Sequence, residues 1–554
     1  MLVFWNGNTS LEWRNDMAGK SQCLERMRTG RCSFEEKDKK YLGILLLFAS
    51  VVYFPLISQR LVNTFDGLWN GSWFIGGFWE VSIGRWLWPV ADFVRFGVQT
   101  EPLNSLLTLA MVVLSITIIR KNFVQNDGLM SWLAGMIFVS GAVVGVWLSY
   151  RYMSPIFGLS LLMAVLAAEC VIRLKCTRKA VFSGAVILAL SLGLYQANLA
   201  CFCMILLSYL LLLLFQEAER SRIYDHIVRS LGSALAGMML YWLVLKAILI
   251  IGNLQLADYN GAADLSVKSI LMGVSKGILR AYQVFGLYFF GNQYRHNMLQ
   301  TVGLFGIVLV VFGIKIFWHL WKLANDKKYE NLFFGVMALA VMPIACNAMM
   351  LISSEAVWRM QMGGGLALFV PLCILLLEGA QPKKSEPDRK SRWLVVLLAI
   401  LIVYGNAYMM AVDQEAMRQG RDSMRVMSNR IVDDLMDEAY LDEEEQVSFM
   451  FVGRPSSNPT FKKENLYLAA NKYAQMGCFW LQPECARLSW RGVFEKITPV
   501  NLNLCENATY QQLRETELVA QMPVYPQEGY IQRVGDVIIV KVSDDYMIDE
   551  EMEE

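Results

Sequence analysis

The sequence predicts an all-α polytopic membrane protein with about eleven transmembrane helices, followed by a small C-terminal α/β domain outside the membrane. Three observations lead to this prediction. Of the 554 residues, 55% are hydrophobic and only 18% are charged, whereas soluble domains carry about 25% charged residues. Long apolar runs recur along the first three quarters of the chain, and basic segments follow every second run.

Each apolar run is interpreted as one span, because a helix needs about 20 residues to cross a hydrocarbon core of roughly 30 Å. A polar, basic tail of residues 1–40 precedes the predicted transmembrane domain, residues 41–411. The predicted spans are residues 41–59, 103–119, 129–149, 154–172, 180–194, 198–215, 229–251, 299–320, 332–352, 363–379 and 393–411.

The basic residues predict the orientation. Lysine and arginine accumulate in cytoplasmic loops, and an N-terminus in the cytoplasm makes every predicted cytoplasmic segment basic. The alternate segments carry fewer basic residues for their length. The chain is therefore expected to have its N-terminus inside and its C-terminus outside. The basic segments are the N-terminal tail, Arg120-Lys121, residues 173–179, residues 219–222, residues 322–328 and residues 383–392.

Composition argues against several classes of function. The net charge of +1 gives no basic field for a nucleic acid. The eleven cysteines include no C-x-x-C pair, and the chain has three histidines, so no metal site is expected. No phosphate-binding G-x-x-x-x-G-K-[ST] loop is present. A sugar donor carried by a nucleotide is therefore not expected.

Two predicted outer segments, residues 60–102 and 252–298, are too long to be simple hairpins. The first contains Asp66, Glu80 and Arg85 among several tryptophans, including Trp79 and Trp86. A carboxylate can act as a base, a guanidinium can bind a phosphate, and indoles can stack on sugar rings. The alternative is an interfacial helix with an aromatic belt and a surface Glu80–Arg85 pair.

Other polar residues lie at the predicted outer ends of spans. Arg151 stands between two tyrosines, and Tyr195-Gln196 forms the tip of a tight hairpin. These groups can simply satisfy helix ends. Arg359 lies four residues after Glu355, with which it can pair, and shortly before three glycines. An arginine beside glycines that admit close backbone approach also suits a lipid-phosphate pocket.

Residues 412–554 have the composition of a small α/β domain, with a helical pattern near 414–440 and again at 464–474. The apolar run from Val447 and the run after Asp536 predict strands. Cys478 and Cys485 flank a short turn and are predicted to pair if the compartment is oxidising, which leaves Cys505 unpaired.

Three stretches in order, "FDGLWNGSWFIGGFWEVSIGRWLWP", "LSYRYMSPIFGLSLLMAVLAAE" and "SLGLYQANLA", carry a resemblance to a known family. Over roughly residues 40–410 the chain resembles the GtrII-like membrane glucosyltransferases of bacteria. The most specific pieces are Trp79 with the Gly84-Arg85-Trp86 triplet, and the Tyr195-Gln196 turn.

The resemblance implies a GT-C-type, inverting hexosyltransferase in the plasma (inner) membrane of a bacterium. It implies transfer of a sugar, glucosyl by the family's name, from an undecaprenyl-phosphate-linked donor to a polysaccharide or glycolipid acceptor such as O-antigen or teichoic acid. No cofactor is required, and a divalent cation held by carboxylates stays open. Asp66 matches the catalytic acid of the first outer loop best. Relatives carry paired acids there, so the second acid is Glu80 or is absent.

In this scheme one carboxylate activates the acceptor hydroxyl, and Arg85, Arg359 or Arg151 binds the donor phosphate. Two alternatives remain. A polysaccharide polymerase or ligase favours an arginine-dominated outer site, whereas a lipid-carrier flippase or transporter favours inverted repeats, which the sequence lacks. The side chains expected to contact sugar or lipid are Trp79, Trp86, Tyr195 and Gln196.

Overall fold

A computed structural model gives the architecture of the chain. It describes residues 35–63, 66–70, 73–124, 128–257, 267–291, 299–351, 357–380, 389–438, 440–441, 447–461, 476, 487–498, 500 and 502–545. The predicted helix at 464–474 and the cysteines Cys478 and Cys485 lie outside these residues. Most of the described chain is helical, and a small sheet lies near the C-terminus, which confirms the predicted fold class.

A bundle of long apolar helices forms the first part of the protein. Within the described ranges, nine helical stretches are long and apolar enough to cross a membrane. The chain is therefore a membrane protein. The helices of these stretches are α6 (Leu103–Phe123), α7 (Leu129–Val139), α8 (Ala142–Ser149), α9 (Ser154–Arg173), α10 (Thr177–Leu194), α11 (Leu199–Phe215), α12 (Arg220–Ile251), α14 (Leu299–Asn325), α15 (Tyr329–Cys346) and α17 (Arg389–Asp437).

Two predicted spans are helical but shorter. The first is divided into α1 (Glu36–Val52) and α2 (Phe54–Ser58), and Pro55 stands in the first turn of α2, where a missing N–H does no harm. The other is α16 (Gly364–Gly379). Both are shorter than the length that a membrane of average thickness requires. The count of eleven spans therefore stays a prediction.

Segments predicted to be cytoplasmic meet at one end of the bundle, here called the basic end. Asp38 of α1 forms ion pairs with Arg120 and Lys121 at the end of α6, and the Lys121 Nζ to Asp38 Oδ2 distance is 3.2 Å. Lys322 near the end of α14 lies 2.6 Å from Glu217, which follows α11. The basic residues that the sequence assigns to one side thus cap the same end of the bundle.

The segments at the opposite end carry short helices. The first outer segment holds α3 (Asp66–Trp69), α4 (Phe78–Ser82) and α5 (Trp88–Val94). The second outer segment contains α13 (Val267–Phe290), a helix of 24 residues. Short 3-10 helices lie at Gln196–Asn198, Ala348–Leu351 and Met360–Met362.

The C-terminal domain is joined to the bundle without a break. Helix α17 runs for 49 residues from the last predicted span into this domain, where the sequence predicted a second, separate helix. The domain adds α18 (Arg487–Lys496), α19 (Asn507–Arg514), α20 (Glu517–Gln521) and a 3-10 helix at Pro455–Ser457. A continuous helix fixes the direction in which the domain leaves the bundle.

Among the described residues of this domain, three strands form a sheet: β1 (Ser448–Val452), β2 (Ile531–Val534) and β3 (Val537–Lys541). Their order is β1-β3-β2, with β1 parallel and β2 antiparallel to β3. The predicted strands after Val447 and Asp536 are β1 and β3. Strand β2 was not predicted, because its four residues show little apolar alternation.

Candidate active site

Asp66 is the first residue of α3, a helix of a single turn. Isolated helices of this length are unstable, so other groups must hold the backbone. The side chain of Asn63, which is fully buried, accepts a hydrogen bond from the Gly67 N–H at 2.7 Å. The amide of Asn70 donates to the Asp66 carbonyl oxygen at 2.9 Å. The backbone that carries the Asp66 side chain is therefore held by its neighbours.

The Asp66 carboxyl is half-buried, and burial raises its pKa to about 6, although the positive charges of Arg359 and Arg85 oppose this rise. The two arginines therefore lie near enough to Asp66 for their charges to act on it. Among the described residues, no hydrogen-bond donor contacts this carboxylate. The structure thus brings together the acid of the first outer segment and an arginine almost three hundred residues later in the chain.

The guanidinium of Arg85 lies between two aromatic rings. Its Cζ is 5.4 Å from the centroid of the Trp88 ring and 5.3 Å from that of Tyr195. Such cation–π contacts orient a guanidinium without using its N–H groups. The Arg85 Nε is buried and has no hydrogen-bond partner in the described part of the chain. An oxyanion could therefore still bind this group.

The loop that carries Arg85 requires a glycine at position 84. Gly84 has a φ of +89°, and a Cβ atom there would lie 2.3 Å from Tyr241 Oη and 2.7 Å from Gln196 Nε2. The Tyr241 hydroxyl donates to the Gly84 carbonyl at 3.1 Å, and Gln196 Nε2 donates to the Ile83 carbonyl at 2.8 Å. The Tyr195-Gln196 turn therefore holds the Arg85 loop in place.

Of the two tryptophans expected to stack on sugar or lipid, Trp86 packs inside the protein. A Cβ atom at Gly193 would lie 2.6 Å from the Trp86 ring, which also packs against Val81 and Leu245. Trp79 is 48% exposed on α4. Trp79 is thus the more accessible of the two for a ligand, and the stacking role stays a prediction for both.

Glu80 is buried at the start of α4, where its Oε2 accepts a hydrogen bond from the Gly77 N–H at 2.6 Å. This contact satisfies a backbone donor at a helix N-terminus. No ion pair joins the Glu80 and Arg85 side chains in the part of the chain that the structure describes. Within that part, Glu80 thus has a structural hydrogen bond that the Asp66 carboxylate lacks.

Arg151 belongs to a neighbouring cluster. Its guanidinium is buried and donates to the Arg60 carbonyl oxygen at 2.5 Å. Burial lowers the pKa of Arg151 to about 10, although the nearby charge of Glu101 raises it. The Arg151 side chain therefore ties down the start of the first outer segment, and its predicted phosphate contact remains untested.

Arg359 precedes the 3-10 helix Met360–Met362, and its side chain is exposed. The Trp147 Nε1 donates to the Gln361 carbonyl at 2.9 Å and anchors this segment to the bundle. A Cβ atom at Gly365 would lie 2.6 Å from the Cys346 carbonyl oxygen. The glycines thus allow close packing between helices, which helps to position Arg359. Glu355, its predicted partner, lies outside the described residues.

The sequence analysis missed two residues of this region. Asp92 is fully buried, and its Oδ2 accepts hydrogen bonds from the Gly76 N–H at 2.9 Å and the Trp88 Nε1 at 2.6 Å. Tyr152 is buried with its ring stacked on Trp88 at 6.0 Å. Burial, and then the negative charge of Asp66, raise the pKa of Tyr152. In the sequence, only the position of Tyr152 next to Arg151 pointed to a role for this tyrosine.

The class of protein follows from these features. It is a multi-spanning membrane protein whose bundle carries, at the end opposite the basic end, a half-buried carboxylate with two arginines. Such a site can accept a proton from a hydroxyl group and bind a phosphate. In the described ranges, no group of three histidine, cysteine, aspartate or glutamate side chains is placed to hold a metal ion.

The family model of glucosyl transferase GtrII matches residues 70–370, more than half of the chain. The chain therefore belongs to the glucosyl transferase GtrII family, which confirms the resemblance seen in the sequence and supports a glycosyltransferase. The matched range includes Arg85 and Arg359. It begins four residues after Asp66 and leaves out the C-terminal domain.

A curated relative is the "uncharacterized 55.3 kDa protein in gtrB 5'region" of Salmonella phage P22. It is 22% identical to the chain over 268 residues, which are 47% of this chain and 53% of the phage protein. The chain thus spans about half the length of this relative. No solved structure matches the chain.

Proposed function

We propose that this protein is a GT-C-type, inverting glucosyltransferase. It transfers a glucosyl group from undecaprenyl phosphate to a cell-surface polysaccharide or lipid-linked glycan, on the extracytoplasmic face of a bacterial inner membrane. The observation that carries this proposal is the placement of the half-buried Asp66 carboxyl where the positive charges of Arg359 and Arg85 act on it. Membership of the GtrII family supports the glucosyl group.

In this mechanism the Asp66 carboxylate accepts the proton of the acceptor hydroxyl as the oxygen forms a bond to the anomeric carbon. The bond between that carbon and the phosphate oxygen breaks, and undecaprenyl phosphate leaves with the electron pair. Arg359 and Arg85 stabilise the negative charge on the leaving phosphate. Attack from the face opposite the phosphate inverts the anomeric configuration. Because phosphate is a good leaving group, no general acid is required.

Three segments divide the chain in this proposal: a cytoplasmic tail of residues 1–40, a transferase domain of residues 41–411, and an extracytoplasmic domain of residues 412–554. The N-terminus is cytoplasmic, which leaves the Asp66 site outside. The meeting of the predicted cytoplasmic segments at the basic end supports this orientation. The donor, the acceptor and membrane lipid are the expected partners, and no nucleic acid takes part.

The orientation predicts the behaviour of reporter fusions. A phosphatase that works only outside the cytoplasm should be active when it is fused after Glu554, because an odd number of spans separates the two termini. The same reporter fused within the basic segment at 322–328 should be inactive. Activity of a cytoplasm-only reporter after Glu554 would contradict the orientation.

The pH dependence of the transfer rate should reflect the ionisation of the Asp66 carboxyl group. Its pKa of about 6 means that the carboxylate is the main form above that pH and is lost below it. The value of kcat/KM for the free enzyme should therefore fall about tenfold for each pH unit below about 6. The residual activity of Asp66→Asn should lack this acid limb. An identical acid limb in that variant would assign the titration to another group.

The surface glycan provides the direct test of the function. Cells that contain the gene should carry glucose side groups, and deletion of the gene should remove a hexose mass from the repeating unit in mass spectra. Expression of the full chain from a plasmid should restore that mass. If deletion shortened the polymer and left each repeating unit unchanged, the polymerase alternative would replace the transferase.

A further inference from the structure

The C-terminal domain lies against the helix that carries Asp66. Gly492 of α18 faces Leu68 of α3, and a Cβ atom at Gly492 would lie only 1.9 Å from the Leu68 carbonyl oxygen. Leu68 itself is 2% exposed. The two helices therefore touch through their backbones, and no larger residue fits at position 492 without moving α3.

Lys496, the last residue of α18, binds the end of the same short helix. Its Nζ donates hydrogen bonds to the Gly67 carbonyl oxygen, at 2.6 Å, and to the Asn70 carbonyl oxygen. The last carbonyl groups of a helix have no partner within the helix. Lys496 supplies that partner from a segment more than four hundred residues away in the chain.

The rest of the C-terminal domain holds Lys496 in position. The ring of Trp490 stacks on Phe451 of β1, with centroids 4.6 Å apart, and this contact fixes α18 on the sheet. The Thr498 hydroxyl lies 3.1 Å from the Ser428 hydroxyl on α17. Since α17 is continuous with the bundle, Lys496 is held on one side by the sheet and on the other by a helix of the bundle.

We propose that Lys496 is a positioning residue, through which the C-terminal domain holds Asp66 in its catalytic geometry. This inference rests on the proposed function of Asp66 as the base. Asn63 holds the start of α3 from the bundle side, and Lys496 holds its end from the domain side. The domain is in this respect a component of the transfer site.

The hydrogen bonds of Lys496 do not depend on whether its amine is protonated. Burial, and then the positive charge of Arg151, lower the pKa of Lys496 to about 7. The neutral amine still carries two N–H donors, one for each carbonyl group. A substitution that removes every donor is therefore the informative change.

The test compares full-length variants in membranes, with radiolabelled undecaprenyl-phosphate glucose as the donor and the surface polymer in the same membranes as the acceptor. Lys496→Met keeps most of the length of the side chain and removes its donors. Arg491→Met, at an exposed position of the same helix, is the matched control. Because a displacement of about 1 Å can lower a rate 10²-fold, Lys496→Met should lower kcat roughly 10–100-fold. The donor KM should change less than about threefold, and the control should match wild type.

A double-mutant comparison separates positioning from general loss of structure. In the Asp66→Asn background, Lys496→Met should lower the residual rate by less than about threefold, because the base that it positions is already absent. Two results would overturn the inference. One is an equal fold-decrease in rate for Lys496→Met in the wild-type and Asp66→Asn backgrounds, and the other is a wild-type kcat for Lys496→Met. A wild-type rate for Asp66→Asn would instead overturn the proposed function.

Folding is followed by gel filtration and thermal unfolding of the detergent-extracted protein. If Lys496→Met is not recovered, Lys496→Gln takes its place, since the amide keeps one donor group on a shorter side chain. The inference predicts an intermediate kcat for Lys496→Gln with an unchanged donor KM. A kcat equal to wild type in a folded Lys496→Gln protein, together with a raised KM, would overturn it.

Discussion

Substitution of Asp66 by asparagine should lower the rate of glucosyl transfer by roughly 10²–10⁴-fold, the usual contribution of a positioned general base. The change keeps the size of the side chain and removes its basicity. Because the proposed donor contacts come from Arg359 and Arg85, the donor KM should change little. The measurement is the transfer of radiolabelled glucose from undecaprenyl phosphate at varied donor concentration.

Glu80→Gln is the matched comparison, because it makes the same chemical change at the other candidate acid. The carbonyl oxygen of the introduced amide could still accept the hydrogen bond that Gly77 now donates. We therefore expect a rate within about tenfold of wild type, well above that of Asp66→Asn. The opposite order of the two variants would assign the base to Glu80.

Replacement of Arg359 by lysine should lower kcat/KM roughly 10–100-fold, since a hydrogen bond to a charged group contributes about 1.5–3 kcal/mol. Lysine keeps the positive charge but cannot form two parallel hydrogen bonds to phosphate oxygens. Arg85→Lys should show a loss of the same kind, because the Arg85 guanidinium lies between Trp88 and Tyr195 and its charge acts on the same carboxylate.

Arg425→Lys provides the control for this series, because Arg425 is exposed on α17 in the C-terminal region. Its rate should equal that of wild type. Donor concentration is varied for each variant so that effects on kcat and KM are separated. Wild-type kcat/KM for both Arg359→Lys and Arg85→Lys would exclude a phosphate contact by these two residues.

The membrane architecture could be predicted from the sequence because its causes are local. A span requires a continuous apolar run, which can be read directly from the chain. The side of each loop, inferred from its lysine and arginine residues, stays a prediction. Strands β1 and β3 could also be predicted, because each coincides with an apolar run. The single helix α17 was not, because its composition changes from apolar to charged where it leaves the bundle, and a boundary was predicted there.

The residues of the candidate site could be predicted in part from the sequence, but their contacts could not. Asp66, Glu80 and Arg85 are close together in the sequence, so chemistry alone suggested a site. Only the tertiary structure shows their different surroundings: Glu80 binds a helix N-terminus, whereas the charges of Arg359 and Arg85 act on Asp66. Hydrogen-bond partners depend on backbone geometry, which composition does not encode.

The sequence by itself determined the class of protein, the helical bundle, the basic end and the acid-bearing segment after the first predicted span, since each depends on residues close together in the chain. The tertiary structure alone decided that Arg359 lies near Asp66, that Gln196 holds the Gly84 loop and that Lys496 binds α3. These contacts join residues separated by more than one hundred positions. The packing of helices and domains creates these contacts, and no local pattern in the sequence specifies that packing.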